Sequence, residues 1–140
     1  MTRDEVTSVL ARHKESFLRR DAPALAADHA PDGTFESPAH GVVRGRPAIE
    51  EVYRYWFTAF PDLQLTWEAP LVEGDRAAIF WRFAGTAQGP FFGMAGAGTR
   101  VEMSGAAEYR FGPEGIASVR HVFDFSSVLL KTGVLKVKPA

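Results

Sequence analysis

The chain contains no cysteine. That excludes disulfides, thiol nucleophiles and zinc–thiolate sites, and it fits a reducing compartment. Net charge is nearly absent as well: 16 basic residues against 17 acidic ones give −1. The basic residues are scattered apart from the lysines of the tail, so the footprint of a nucleic-acid binder is missing. No apolar run is long enough to span a bilayer. The opening MTRDEVTSVL places acidic residues where a signal peptide needs a basic and then an apolar stretch. The expectation is a soluble, cytoplasmic protein with neither a membrane nor a nucleic-acid partner. His29 and His121 have no partner at H-x-H or H-E-x-x-H spacing, so no metal is expected. GAGTRV lacks the third glycine and the following helix of a dinucleotide fingerprint, so no nucleotide cofactor is expected either.

What the chain does have is aromatic mass, with 11 Phe, 3 Trp and 3 Tyr in 140 residues. This length suits one domain, residues 1–140, with a sizeable core. Val6, Val9, Leu10, His13 and Phe17 follow helical spacing. Asp21 reads as the N-cap of a short second helix that tolerates Pro23 in its first turn. A short strand is expected at Thr34–Ser37, then a loop through AHGVVRGR. Pro47 opens the strongest helix, in which Ile49, Val52, Tyr53, Trp56, Phe57 and Phe60 form one apolar stripe that Pro61 ends. Beyond it Leu63, Leu65 and Trp67 alternate, and AAIFWRFAGT, TRVEMSGAAEYRF and IASVRHVFDF read as long strands. SSVLLKTG reads as a final helical turn capped by Ser126 and stopped by Gly133. Helices first and strands afterwards argue an α+β fold, with three N-terminal helices on one face of a bent, mostly antiparallel sheet.

Such a sheet encloses a cone, with Tyr53, Trp56, Phe57 and Trp81 expected to line its pocket. Asp124 is the intruder in the apolar run VRHVFDFSSVLL, where an ionised carboxylate is costly unless compensated. The strand period of two puts Arg120, Val122 and Asp124 on one face and His121, Phe123 and Phe125 on the other. The period alone does not choose which face looks inward. Asp124 therefore reads either as an acid/base or as a structural residue, paired with Arg120 or accepting hydrogen bonds from the Ser126 and Ser127 region. His13 reads either as a satisfied core histidine or as a donor to a ligand, and His40 as a general acid over the mouth or a solvated loop residue. Glu36 alternates away from Ser37 and is expected to face outward. Between the long strands the segment Gly85–Gly98 is expected to form the pocket rim, with Phe91, Phe92 or Met94 closing over a ligand.

Three stretches together, GTFESPAHGVVRGRPAIEEVYRYWFTAFPDL, AGTAQGPFFGMAGAGTRVEMSGAAEYRF and GIASVRHVFDFSSVLLKTGVL, resemble the SnoaL-like polyketide cyclases of the NTF2-like, cone-shaped superfamily. The resemblance implies that Asp124 projects into the pocket as the acid/base of an aldol ring closure without metal or cofactor, with Arg120 beside it and His13 across from it. It also implies a homodimer paired through the outer sheet face, and TRVEMSGAAEYRF leaves apolar residues on both strand faces for such a contact. ARHKES and GTFESP further resemble the ketosteroid isomerases of the same superfamily, whose pKa tuning is a standard worked case. Their chemistry does not carry over: Ser37 stands where they have the Asp base, His13 where they have the oxyanion-hole Tyr, and a position near Ala107 where they have the second acidic donor.

The resulting expectation is a cofactor-independent cyclase or isomerase, acting by general acid/base chemistry on a small hydrophobic or aromatic carbonyl ligand. A non-catalytic ligand-binding or dimerisation module of the same fold is the alternative. Epoxide hydrolysis ranks third, because it needs an Asp–Arg–Asp set and the chain offers a single Arg–Asp pair.

Overall fold

The computed structural model describes residues 1–96 and 98–139. Ala97, part of the expected rim segment, lies outside the described residues. The chain opens with α1 (Arg3–Leu18) and α2 (Ala22–Ala27). The N-terminus of α1 is closed by a capping box. Thr2 Oγ1 accepts the Glu5 N–H at 3.2 Å, and Glu5 returns a carboxylate oxygen to the Thr2 N–H at 2.8 Å. Asp21 caps α2 through the Ala24 N–H at 3.1 Å. β1 (His29–Ser37) and β2 (Gly41–Arg44) form a hairpin, and α3 (Arg46–Ala59) follows. The segment expected as loop is therefore partly strand, because Val42 and Val43 pair with Glu36 and Phe35.

The remainder is sheet: β3 (Gln64–Trp67), β4 (Leu71–Glu73), β5 (Arg76–Ala87), β6 (Thr99–Gly112) and β7 (Gly115–Phe123), closed by α4 (Phe125–Thr132). The strands run in the order β2-β1-β7-β6-β5-β3, with β4 also paired to β5. All neighbours are antiparallel except β1 and β7. The expected α+β cone is what the chain forms, with α4 as a fourth helix where a single turn was expected.

Strand alternation, reset by a bulge between β6 and β7 near Arg110 and Phe111, sorts the residues. Ile79, Trp81 and Phe83 of β5, Val101, Ala107, Tyr109 and Phe111 of β6, and Ile116, Val119 and His121 of β7 are buried under the helices. Their neighbours Phe80, Arg82, Glu102, Arg110, Arg120 and Val122 face out or lie at the sheet surface. Gly105 is required by this packing. It pairs with Trp81 across the β5–β6 ladder, and a Cβ there would stand 2.5 Å from the indole Cζ2. A hydrogen at this position lets the Trp81 ring lie across β6 toward β7, where it meets His121 and Phe123 at centroid distances of 6.0 and 5.8 Å.

Candidate active site

Between α1, α3 and the concave face of the sheet lies an apolar cavity with about 80 Å³ of free space. A dry cavity of about 150 Å³ takes up a single benzene ring, so a ligand of one ring or more needs some give in the walls. Phe17 comes from α1, and Val52, Tyr53, Trp56 and Phe57 from α3. The sheet and the α3–β3 turn supply Phe35, Ser37, Leu63, Leu65, Trp81, Phe83, Met103, His121 and Phe123. All four aromatics expected at the pocket are among them. The helical stripe of α3 explains this, because residues three and four apart share a face.

The expectation of a cavity-facing Asp124 beside or paired with Arg120 is corrected, and the alternative in which Asp124 accepts hydrogen bonds from the Ser126 and Ser127 region is what the structure shows. β7 ends at Phe123, and Asp124 is the exposed N-cap of α4. One carboxylate oxygen accepts the Ser127 N–H at 3.0 Å and the Ser126 hydroxyl at 2.8 Å. Those bonds, the Ser127 N–H first, hold the carboxyl below its ordinary range. Its cost in an apolar run is thus never incurred, since the run breaks there and the carboxylate stays in water. Arg120 lies on the outer sheet face, 59% exposed, and its guanidinium is 3.9 Å from Glu108 instead of pairing with Asp124. The inward face of β7 carries His121 and Phe123. Arg120 and Asp124, the residues epoxide hydrolysis would draw on, are unpaired with each other and both lie outside the cavity lining.

The rim expectation is corrected too. None of Phe91, Phe92 and Met94 lines the cavity. Phe91 is buried behind the wall, with its ring 5.2 Å from Trp56 and 5.3 Å from Phe60. Phe92 adopts a left-handed backbone (φ 47°) and donates its N–H to Tyr55 Oη at 2.6 Å. Met94 is exposed, bonded through its backbone to Phe91 in a tight turn. His40 also lies off the cavity lining, half-buried against it: its Nε2 accepts the Trp56 indole N–H at 2.9 Å. Glu36 is exposed.

Two polar side chains of the lining sit side by side. In the parallel β1–β7 ladder Glu36 pairs with Arg120, which brings the next residues, Ser37 and His121, to the same inward face. The Ser37 Oγ accepts the His40 backbone N–H at 3.2 Å, leaving its own proton for another acceptor. His121 is buried among Phe35, Trp81 and Tyr109, and burial pulls its pKa down to about 3. Behind the Tyr53 ring runs a hydrogen-bonded chain, buried as far as Asp28 and ending on the exposed Arg12. Tyr53 Oη meets His29 Nε2 at 2.8 Å and His13 Nε2 at 3.4 Å. His13 Nδ1 meets Asp28 at 2.9 Å, and Asp28 meets Arg12 Nε at 2.8 Å. A carboxylate accepts only, so His13 carries its proton on Nδ1 and presents Nε2 to the tyrosine.

Burial lowers the pKa of His13 against the opposing pull of Asp28, and lowers that of His29 to about 3. Burial pushes Asp28 upward, but the bonds from His13 and Arg12 outweigh it and hold the carboxylate ionised. His13 is therefore a satisfied core histidine, sealed behind Tyr53 and not on the cavity lining. Sequence reasoning missed Ser37 as a lining residue, His121 and Asp28. Ser37 and His121 follow from the strand period once the inward face is known. Asp28 has only a weak sequence signal, an acid at the end of a short apolar helix.

Among the described residues no group of three or more His, Asp or Glu is placed to hold a metal ion. No helix of the described residues is long and apolar enough to cross a membrane.

The family profile of the SnoaL-like polyketide cyclases matches residues 7–131. A steroid Δ-isomerase of Nocardioides simplex is 44% identical over 50 residues, 35% of this chain and 41% of that protein. The chain thus spans under half the length of that curated relative. Among solved structures, AclR of Streptomyces galilaeus, described as a candidate hydroxylase, superposes with a TM-score of 0.82 at 25% identity, over 99% of this chain and 87% of that one. A candidate SnoaL-like polyketide cyclase of Jannaschia sp. CCS1 superposes with a TM-score of 0.84 at 18% identity, over 95% and 94% of the two chains.

Proposed function

The chain belongs to the SnoaL-like polyketide cyclase family, and on that premise we propose that it is a cofactor-independent enzyme using His121 for general acid/base chemistry on a small apolar carbonyl compound. The observation that carries this reading is the composition of the cavity wall. Among the described residues 14 line it; none of these is a carboxylate, and one, His121, is an imidazole. Neutral imidazole is a base, and the Ser37 hydroxyl beside it is a donor for an enolate oxygen. The aromatic walls hold a flat ligand and exclude water.

The low pKa of His121 sets the substrate's chemistry. An imidazole whose conjugate acid is that strong is too weak a base for the α-proton of an ordinary ketone. It suits an activated carbon acid, such as a CH between two carbonyls. His121 takes that proton while the bonding pair moves into an enolate held by Ser37. In ring closure the enolate carbon attacks a second carbonyl carbon, and the new alkoxide takes the proton back from the imidazolium.

The test is proton–deuterium exchange at the central carbon of an aryl-substituted 1,3-diketone, followed by NMR. His121→Phe is expected to lose the protein-catalysed exchange by about 10²–10⁴-fold. Retention of exchange in that variant overturns the reading.

A second reading is favoured by the missing carboxylate and the weak basicity of His121: a non-catalytic module that binds an apolar ligand. It predicts no catalysed exchange in the wild-type protein and only an affinity change on substituting His121. For the assembly we propose a homodimer through the outer sheet face. Phe80, Ala106 and Val122 pair across three strands there, and Phe80 and Val122 are each 53% exposed.

A further inference from the structure

We propose that His40 is a positioning residue for the cavity wall: its unprotonated Nε2 holds Trp56 in place, and protonation of the imidazole releases the indole and loosens the cavity's hold on an apolar ligand. The inference rests on the cavity being the ligand site and not on the acid/base reading of His121. Trp56 is the hub of the wall. It lines the cavity, stacks on Phe60 at 5.8 Å and meets Phe83, Phe91 and Phe123 edge-on at 5.9, 5.2 and 6.2 Å. Its one polar atom is the indole N–H, a donor only. That N–H ends on His40 Nε2 at 2.9 Å. A donor-only partner demands a lone pair, so neutral His40 must carry its proton on Nδ1. Adding a second proton at Nε2 removes the acceptor and sets two N–H groups head to head.

The surroundings hold the latch where a titration can act on it. From α3, Tyr55 and Trp56 pack on the imidazole with ring centroids at 5.5 and 6.2 Å, and from the segment after β5 Phe92 packs at 5.7 Å. From β1, Ser37 Oγ accepts the His40 backbone N–H. Tyr55 is the titratable side chain in this set, and it is engaged by the Phe92 N–H. Burial alone lowers the His40 pKa, with no charged side chain adding to it. The imidazole is half-buried, so a proton reaches it from solvent without unfolding. The left-handed Phe92 that covers it is a strained position for a non-glycine residue, held by its Tyr55 bond and by the Phe125 ring at 5.2 Å.

The first readout is the Trp56 indole N–H signal in a ¹H–¹⁵N correlation spectrum, assigned by its loss in Trp56→Phe. In the wild-type protein it titrates between pH 7.5 and pH 4.5 with a midpoint below 6.5. In His40→Gln, whose amide oxygen accepts at every pH, it does not. The second readout is binding of 2-naphthol, which stays neutral over this range. Wild-type affinity falls threefold to tenfold on protonation, the worth of one hydrogen bond. His40→Gln keeps its pH 7.5 affinity throughout, and His40→Phe is weak at both ends. A titrating Trp56 signal in His40→Gln, or a wild-type signal that does not move, overturns the latch. Failure of 2-naphthol to bind any of the proteins at pH 7.5 overturns instead the reading of the cavity as a ligand site.

Discussion

Acid should destabilise this protein well before its carboxylates protonate, and His29 and His121 set the size of the effect. Both are buried neutral, with pKa values lowered from 6.5 to about 3 by burial. A folded value below the unfolded one means that stability is complete above pH 6.5 and is lost as pH falls toward 3. At pH 5 each histidine costs RT ln[(1 + 10^1.5)/(1 + 10^−2)], about 2 kcal/mol relative to pH 8. The pair together removes about 4 kcal/mol, a large share of the roughly 5–15 kcal/mol typical of a domain. His13 shifts in the same direction and adds to the loss. Urea unfolding at pH 8 and pH 5 measures it. His121→Phe should lose about 2 kcal/mol less than the wild-type protein over that interval, because the His121 titration is gone. A wild-type stability that stays flat from pH 8 to pH 5, or a His121→Phe drop equal to the wild-type one, refutes the burial argument.

Three further outcomes are expected. Gly105→Ala forces a methyl into the Trp81 indole and the Val122 carbonyl, at 2.5 and 2.6 Å, so it should cost on the order of 1–3 kcal/mol by the same unfolding assay. Asp124→Ala removes the cap of α4 and should lower Tm by a few degrees in a thermal melt while leaving 2-naphthol binding unchanged. Light scattering at micromolar concentration should give a dimer mass, and Val122→Lys, placed in the exposed apolar row, should shift it to the monomer.

The fold was legible because its strongest signals are local. The α3 stripe from Ile49 to Phe60 has helical period and nothing else, and the long β-rich runs after Pro61 are bounded by turn signals. The cavity-facing reading of Asp124 rests on one continuity assumption. VRHVFDF reads as strand to its end, whereas the chain leaves the sheet after Phe123 and the aspartate starts a helix. DFSSVLLK carries the competing signal, an N-cap aspartate followed by Phe125, Val128 and Leu129 at helical spacing. Once the strand is shortened, no compensation for a buried charge is needed, and the inward face passes to His121. The Arg12–Asp28–His13–Tyr53–His29 chain was illegible for a different reason. It joins α1, the end of α2, the start of β1 and the middle of α3, and no sequence period links those positions. His40 with Trp56 is the same kind of case, because the β1–β2 turn reaches α3 only in the folded chain.

The central claim is that proton transfer belongs to the cavity residue His121 and not to Asp124, and a crossed comparison tests it most directly. Exchange at the central carbon of an aryl-substituted 1,3-diketone is measured for the wild-type protein, Asp124→Asn and His121→Phe under one set of conditions. The account predicts that Asp124→Asn exchanges at the wild-type rate and that His121→Phe falls by about 10²–10⁴-fold. Loss of exchange in Asp124→Asn, with His121→Phe unimpaired, contradicts it.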